Sequence, residues 1–153
     1  MRKRSSYRPK GVIMDTMRHV MQGFTPMRQH GKATTLKIKN HQALSCMVAG
    51  AGTRDDIDNL IAAMNVAEAM AITCELGDGY RTEITAAQDA LLAMSRRGLE
   101  RDRFLFTGLE LTAMNLGMEV HDAQLDACTV GDLEKALDFV AREIRAKRAR
   151  AIA

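Results

Sequence analysis

The sequence predicts a mostly α single domain of five or six helices with a bundle-like core. Three observations carry this expectation. Apolar residues recur at helical spacing over most of the chain, interrupted by short glycine-containing stretches. Aromatics make up only 4% of the 153 residues, with no Trp, while Met reaches 11. Two prolines are too few for a chain full of turns, which argues against a β-sandwich. A chain of this size buries roughly 68–70% of its unfolded surface, so a core needs neither disulfides nor metals.

The elements follow in order. Residues 1–10 read as a flexible basic arm, because Pro9 disfavours helix at Arg8 and nothing apolar anchors the stretch. Residues 11–153 then form the single helical domain. A first helix is expected from about Val12 to Gln22, with Val12, Ile13, Met17, Val20 and Met21 apolar and Gly23 as its stop. Residues 23–35 contain Gly23, Pro26 and Gly31 and read as loop. Leu36-Lys37-Ile38-Lys39 alternates apolar and basic, the period of a half-buried strand. Asn40 reads as the N-cap of a helix to about Ala49, ended by Gly50-Ala51-Gly52.

Thr53 caps the next helix, with Asp55 and Asp56 in its first turn, where the helix dipole favours anions. Its apolar face includes Ile57, Leu60, Ile61, Met64 and Ala67, and Gly77-Asp78-Gly79 breaks it. A further helix is expected over about Thr82–Arg97, stopped by Gly98. Arg103-Phe104-Leu105-Phe106 is an extended candidate that could pair with Leu36–Lys39 as a short two-stranded ribbon. Thr107 caps a helix from Gly108 to about Ala127. Two apolar stripes on that helix, one through Met114, Met118 and His121 and one through Leu109, Leu116 and Val120, predict a central element packed on two sides. Thr129 caps the last helix with Asp132 in the capping-box position, and Leu133, Ala136, Leu137, Val140 and Ile144 form its inward stripe.

Charge is segregated along the chain. Residues 1–40 carry ten Lys/Arg and one acid, residues 41–141 seven against seventeen, and residues 142–153 five against one. The formal net charge of +3 therefore hides basic ends on an acidic body. Basic ends suggest an anionic partner, unless they fold back on the acidic body. The expected nucleic-acid contacts are Arg2, Lys3, Arg4, Arg8 and Lys10, with Tyr7 placed to stack on a base. At the other end they are Arg142, Arg145, Lys147 and Arg148, which together with Arg150 decorate the last helix and also complement its C-terminus. Low aromatic content disfavours stacking-platform modules. A helix-turn-helix at Thr129–Gly131 is disfavoured because Asp132 and Glu134 would meet phosphate.

Catalytic and metal signatures are weak. Glu119, Asp122 and Asp126 share one helix face and could hold Mg²⁺ or Mn²⁺; the alternative is a solvated acidic strip paired with Arg96, Arg97, Arg101 or Arg103. His121 points away from that face and reads as a hydrogen-bonded core histidine. His19, His30 and His41 lack metal-ligand spacing, and there is no nucleophile elbow, P-loop or dinucleotide fingerprint. The chain is therefore read as non-enzymatic, with no cofactor and no metal. Three widely spaced cysteines, Cys46, Cys74 and Cys128, make no disulfide framework and suggest a reducing cytoplasm. The basic start lacks an apolar stretch behind it, and no apolar run reaches membrane-spanning length. The abundant Met residues fill a core or supply an adaptable protein-binding surface, including one for a homo-oligomer.

Tyr7–Gly11, Leu36–His41, the segment from Thr53-Arg54 to Ala63, and His121–Asp126 together resemble short uncharacterised helical proteins carried on bacterial phages, prophages and plasmids. The resemblance implies a mobile-element context and a bacterial cytoplasm, and it transfers no active site. The function expected is an accessory protein that contacts nucleic acid through basic terminal segments with weak sequence specificity. The alternative is an adaptor or inhibitor that binds a host protein.

Overall fold

The computed structural model describes residues 26–29 and 31–148. The basic arm, the expected helix Val12–Gln22 and Arg150 lie outside these residues. Within them run α1 (Gly31–Val48), α2 (Arg54–Thr73), α3 (Arg81–Arg101), α4 (Gly108–Ala127) and α5 (Val130–Arg145), with single 3₁₀ turns at Met27–Gln29 and Asp78–Tyr80. The described fold is all-α.

Three helices start on the same local chemistry. Thr53, Thr107 and Thr129 are each extended, and each hydroxyl accepts from the backbone N–H three residues on. The side chains of Asp56, Glu110 and Asp132 accept in return from the N–H of the capping threonine, at 2.8, 2.8 and 3.0 Å. Each box satisfies two amides that helix geometry leaves without partners. At the far end of α1, Gly50 adopts φ 75°, Ala51 N donates to Cys46 O and Gly50 N donates to Met47 O. That left-handed residue closes the helix as a Schellman motif.

Four sequence expectations are corrected here. Leu36–Lys39 is helix, not strand: Ala33, Asn40, Ala43, Leu44 and Met47 are the buried positions of α1, and Ile38 is 62% exposed. Asn40 therefore sits buried in mid-helix rather than capping one, and the helix reaches back to Gly31 through the expected loop. Gly98 does not stop α3. It lies buried inside the helix because a Cβ there would come within 2.1 Å of the Phe104 ring, and Asp102, at φ 51°, ends the helix instead. Residues 103–106 are irregular and unpaired with α1, so the ribbon is not formed among the described residues.

The central element is α2, not α4. It packs against all four other helices, and nine of its residues are buried. On α4 the stripe through Met114, Met118, His121 and Leu125 is buried, but Leu109 is 86% exposed and Leu116 is 45% exposed. Of the second stripe only Val120 packs, against Ala67, Ala71 and Ile84. α3 and α4 form the most extensive helix pair, approaching closely where Gly117 meets Ala87. All seven described Met residues are buried to 2% exposure or less, which assigns them to the core. An unbranched thioether side chain fills the irregular gaps between crossing helices well. No described helix is long and apolar enough to cross a membrane.

α5 is the least covered helix. Ala136 is its one buried residue, Leu133, Phe139 and Val140 are half-buried, and Leu137 and Ile144 are exposed, against the inward stripe expected for them. Its N-terminus is fixed by the chain entering the fold: Pro26 forms a β-bridge with Thr129, Met27 N donates to Cys128 O at 2.8 Å, and the Met27 side chain is buried beside Ala136.

Candidate functional site

The basic C-terminal end is built on the last turns of α5. Arg142, Arg145, Lys147 and Arg148 are all exposed. Arg148 makes a bidentate pair with Glu143, Nε to Oε2 at 2.9 Å and Nη2 to Oε1 at 2.8 Å. That hydrogen-bonded pair holds the Glu143 carboxyl below its ordinary range and raises the Arg148 guanidinium further. Among the described residues Arg142, Arg145 and Lys147 form no ion pair. The cluster therefore keeps three of its four cations open, and its one internal pair is with its own segment. Helix carbonyls that end without partners add a negative potential that favours cations there. Arg2, Lys3, Arg4, Tyr7, Arg8 and Lys10 lie outside the described residues.

The acidic strip on α4 has partners on α1. Asp122 Oδ2 lies 2.6 Å from His41 Nε2, and Asp126 Oδ1 accepts from Lys37 Nζ at 2.6 Å. Glu119 is exposed, and no described group of three His, Cys, Asp or Glu is placed to hold a metal ion. The arginines proposed as partners go elsewhere or stay apart. Arg97 forks onto Glu110 through Nη1 and Nη2, at 2.9 and 2.6 Å, and Nη2 also donates to Leu105 O at 2.7 Å. This arrangement staples the 102–107 connection to α3, and the Arg97 hydrogen bonds hold the Glu110 carboxyl below the ordinary carboxylate range.

His41 and Asp122 come from positions 81 residues apart and form an acid–imidazole pair that sequence reading did not find. Ser45, one turn along α1, lines the same shallow depression but makes no hydrogen bond to the imidazole. A nucleophile–base contact is thus not assembled there. His121 is the buried histidine expected. Its Nδ1 faces Gln124 Oε1 at 3.3 Å, while Gln124 Nε2 donates to Ala67 O at 2.9 Å and Leu76 O at 2.8 Å. Because the amide nitrogen is committed to two carbonyls, its oxygen must accept, which puts the imidazole proton on Nδ1. Burial pushes the His121 imidazole below its ordinary value. Cys128 is buried and its thiol is pushed up to about 11, mainly by burial, whereas Cys46 and Cys74 are half-buried.

A second concave feature is a groove between α2, α3 and α5, with a volume of about 280 Å³. Its apolar wall includes Ile72, Leu92, Phe139 and Ile144. Gln88 Nε2 bridges Asn65 Oδ1 and Glu68 Oε2, at 3.3 and 3.0 Å, along its floor. The Glu143–Arg148 pair stands at its other margin. Nothing in the sequence marked this groove, because its residues come from three helices and read as three ordinary helix faces.

No family model, curated protein or solved structure matches this chain.

Proposed function

We propose that this chain is a small non-enzymatic accessory protein of a bacterial mobile element that holds nucleic acid through its basic ends with weak sequence specificity. The observation that carries this reading is the open cationic end of α5. Arg142, Arg145 and Lys147 stand exposed without ion pairs among the described residues, while Asp122, Asp126 and Glu110 of the acidic body are matched by His41, Lys37 and Arg97. A surplus of cations not consumed by the body is free to displace counterions from phosphates. Residues Arg2, Lys3, Arg4, Arg8 and Lys10 add a second set, with Tyr7 among them for stacking.

The test is fluorescence anisotropy of the full chain with labelled single- and double-stranded DNA and RNA at 50 and 200 mM salt. Each phosphate contact contributes a slope of about −0.9 in log K against log salt on duplex DNA. Replacing Arg142, Arg145 and Lys147 together by Ala is expected to flatten that slope by about 2.7 and to weaken binding equally across sequences. Absence of binding to every nucleic acid at 50 mM overturns the reading and leaves the protein-binding adaptor in its place.

A further inference from the structure

The sequence marks α4 as apolar on two sides, and the described residues cover only one of them. We propose that the other side is an interface for a second copy of this chain: α4 pairs antiparallel with α4 of that copy along Leu109, Ala113, Leu116, Val120, Ala123 and Ala127.

Four observations converge on that occupant. The first is the repeat. The six positions follow one another at spacings of 4, 3, 4, 3 and 4 residues, the apolar repeat of a coiled coil. The seam that α4 turns into its own core, through Met114, Met118, His121 and Leu125, keeps the same alternation on a different side. The second is exposure. Leu109 is 86% exposed and Leu116 is 45% exposed, and Ala123 and Ala127 are exposed with them. Ala113 and Val120 are half-buried, Val120 against Ile84 of α3. Scattered exposed leucines are ordinary, but a contiguous apolar seam kept in register along a whole helix marks an interaction surface.

The third is fit. In an antiparallel pair the layers join Leu109 to Ala127 of the second copy, Ala113 to Ala123 and Leu116 to Val120, and the two-fold axis repeats each layer in reverse. Each leucine meets a smaller residue, and the Ala–Ala layers let the helices approach to the short end of the usual range of about 8–10 Å. The fourth is charge. Residues 96–110, at the Leu109 end, carry four Arg against Glu100, Asp102 and Glu110, a net of +1. Residues 119–127, at the other end, carry Glu119, Asp122 and Asp126 with no Lys or Arg, a net of −3. Antiparallel pairing sets the basic end of each copy beside the acidic end of the other and opposes the two helix dipoles. Parallel pairing would set the two acidic ends side by side.

Eighteen residue steps make a seam of about 27 Å, one helix wide. Such a face is smaller than the roughly 800 Å² per partner of a standard stable complex, so the pair is a reversible dimer with a Kd of roughly 10–500 μM. The pairing itself does not depend on the nucleic-acid reading. One consequence does rest on it: a dimer presents two sets of Arg142, Arg145 and Lys147 to one nucleic acid, so that engagement of the first raises the effective concentration of the second.

Sedimentation equilibrium of the full chain, free of nucleic acid, tests the pairing. The expected result is a mass that rises from the 16.9 kDa of one chain towards twice that value as concentration rises from about 5 μM to about 1 mM. Leu116→Glu and Leu109→Glu, both at exposed positions, are each expected to raise the Kd about tenfold or more while the circular dichroism of the helices is unchanged. Ile144→Glu, exposed in the groove between α2, α3 and α5, is expected to leave the Kd unchanged. Mixing Leu109→Cys chains with Ala127→Cys chains under oxidised glutathione is expected to join the two kinds of chain by a disulfide, with the native chain as the control for Cys46, Cys74 and Cys128. A mass that stays at one chain up to about 1 mM overturns the proposal. So does a dimer that survives both glutamates, or one that Ile144→Glu dissociates instead, which moves the second copy to the groove. Cross-linking of Leu109→Cys chains to one another in preference to Ala127→Cys chains overturns the antiparallel register. Because no nucleic acid is present, failure here leaves the anisotropy result standing as binding by single chains, and failure of the anisotropy test leaves the dimer intact.

Discussion

Gly117→Ala isolates how closely α3 and α4 approach. A Cβ at position 117 would stand 2.5 Å from Ala87 Cβ and 2.9 Å from Met64 Sδ. Carbon atoms pack best at about 3.5–4.0 Å, so the contact with Ala87 falls short by about 1–1.5 Å. Met64 can change rotamer, but Ala87 Cβ is fixed to its backbone, so relief requires the helices to separate. Separation loosens Leu91, Met94, Met114 and Met118, which share one buried cluster. Overpacking of a core costs about 1–3 kcal/mol, against which Gly to Ala in a helix interior returns about 1 kcal/mol. The net expectation is a loss of up to about 2 kcal/mol, or a Tm lowered by up to about 8 °C for a chain of this size. Urea unfolding followed by circular dichroism reads this as a lower midpoint at unchanged slope. Ala87→Gly removes the opposing methyl group, so in that background Gly117→Ala should become stabilising. A native-background Gly117→Ala that stabilises by the propensity term alone, or that behaves identically beside Gly at 87, would refute the close approach.

Further outcomes follow from the polar pairs and caps. Glu110→Gln removes the fork with Arg97 and weakens the Thr107 cap, at an expected cost of about 1–2 kcal/mol at pH 7. The folded Glu110 carboxyl titrates below its unfolded value, so this stability is present above about pH 4.3 and is lost as pH falls through the folded value. Urea midpoints of native and variant chains should therefore converge in acid. His121 also has a lowered folded pKa, from burial, so its contribution is present above about pH 6.5 and lost as pH falls through the folded value. His121→Gln should remove that part of the pH slope, and an unchanged slope would place the imidazole in solvent. Thr129→Ala should cost about 1 kcal/mol and free the α5 amides first in hydrogen exchange. Millimolar Mg²⁺ should leave the Tm unchanged to within about 1 °C, because Asp122 and Asp126 already pair with His41 and Lys37.

The features legible in the sequence are those closed within a few residues. Thr53, Thr107 and Thr129 with an acid three residues on specify helix starts, because the bonds involved join residues that any helical turn brings together. The α4 boundaries, the buried His121 and the Met-filled core followed from periodicity and side-chain chemistry. Leu36–Lys39 was misleading because four residues cannot separate period 2 from period 3.6, and the polar Asn40 at a core position hid the longer pattern. Gly98 resembled a stop because glycine's freedom is visible in sequence, whereas the Phe104 ring that demands its missing Cβ is not.

Local hydrogen bonds and the 3.6-residue period thus determined that this chain is a set of capped helices with basic ends and an acidic body. Tertiary structure decided the rest: α2 rather than α4 at the centre, the pairing of His41 with Asp122, and the groove between α2, α3 and α5. The physical reason is range. A helix satisfies its backbone within four residues wherever it lies, so its sequence specifies that it forms. Its partners are selected by how ridges, small residues and buried side chains of distant segments fit together, and that fit is a property of surfaces the linear chain does not display.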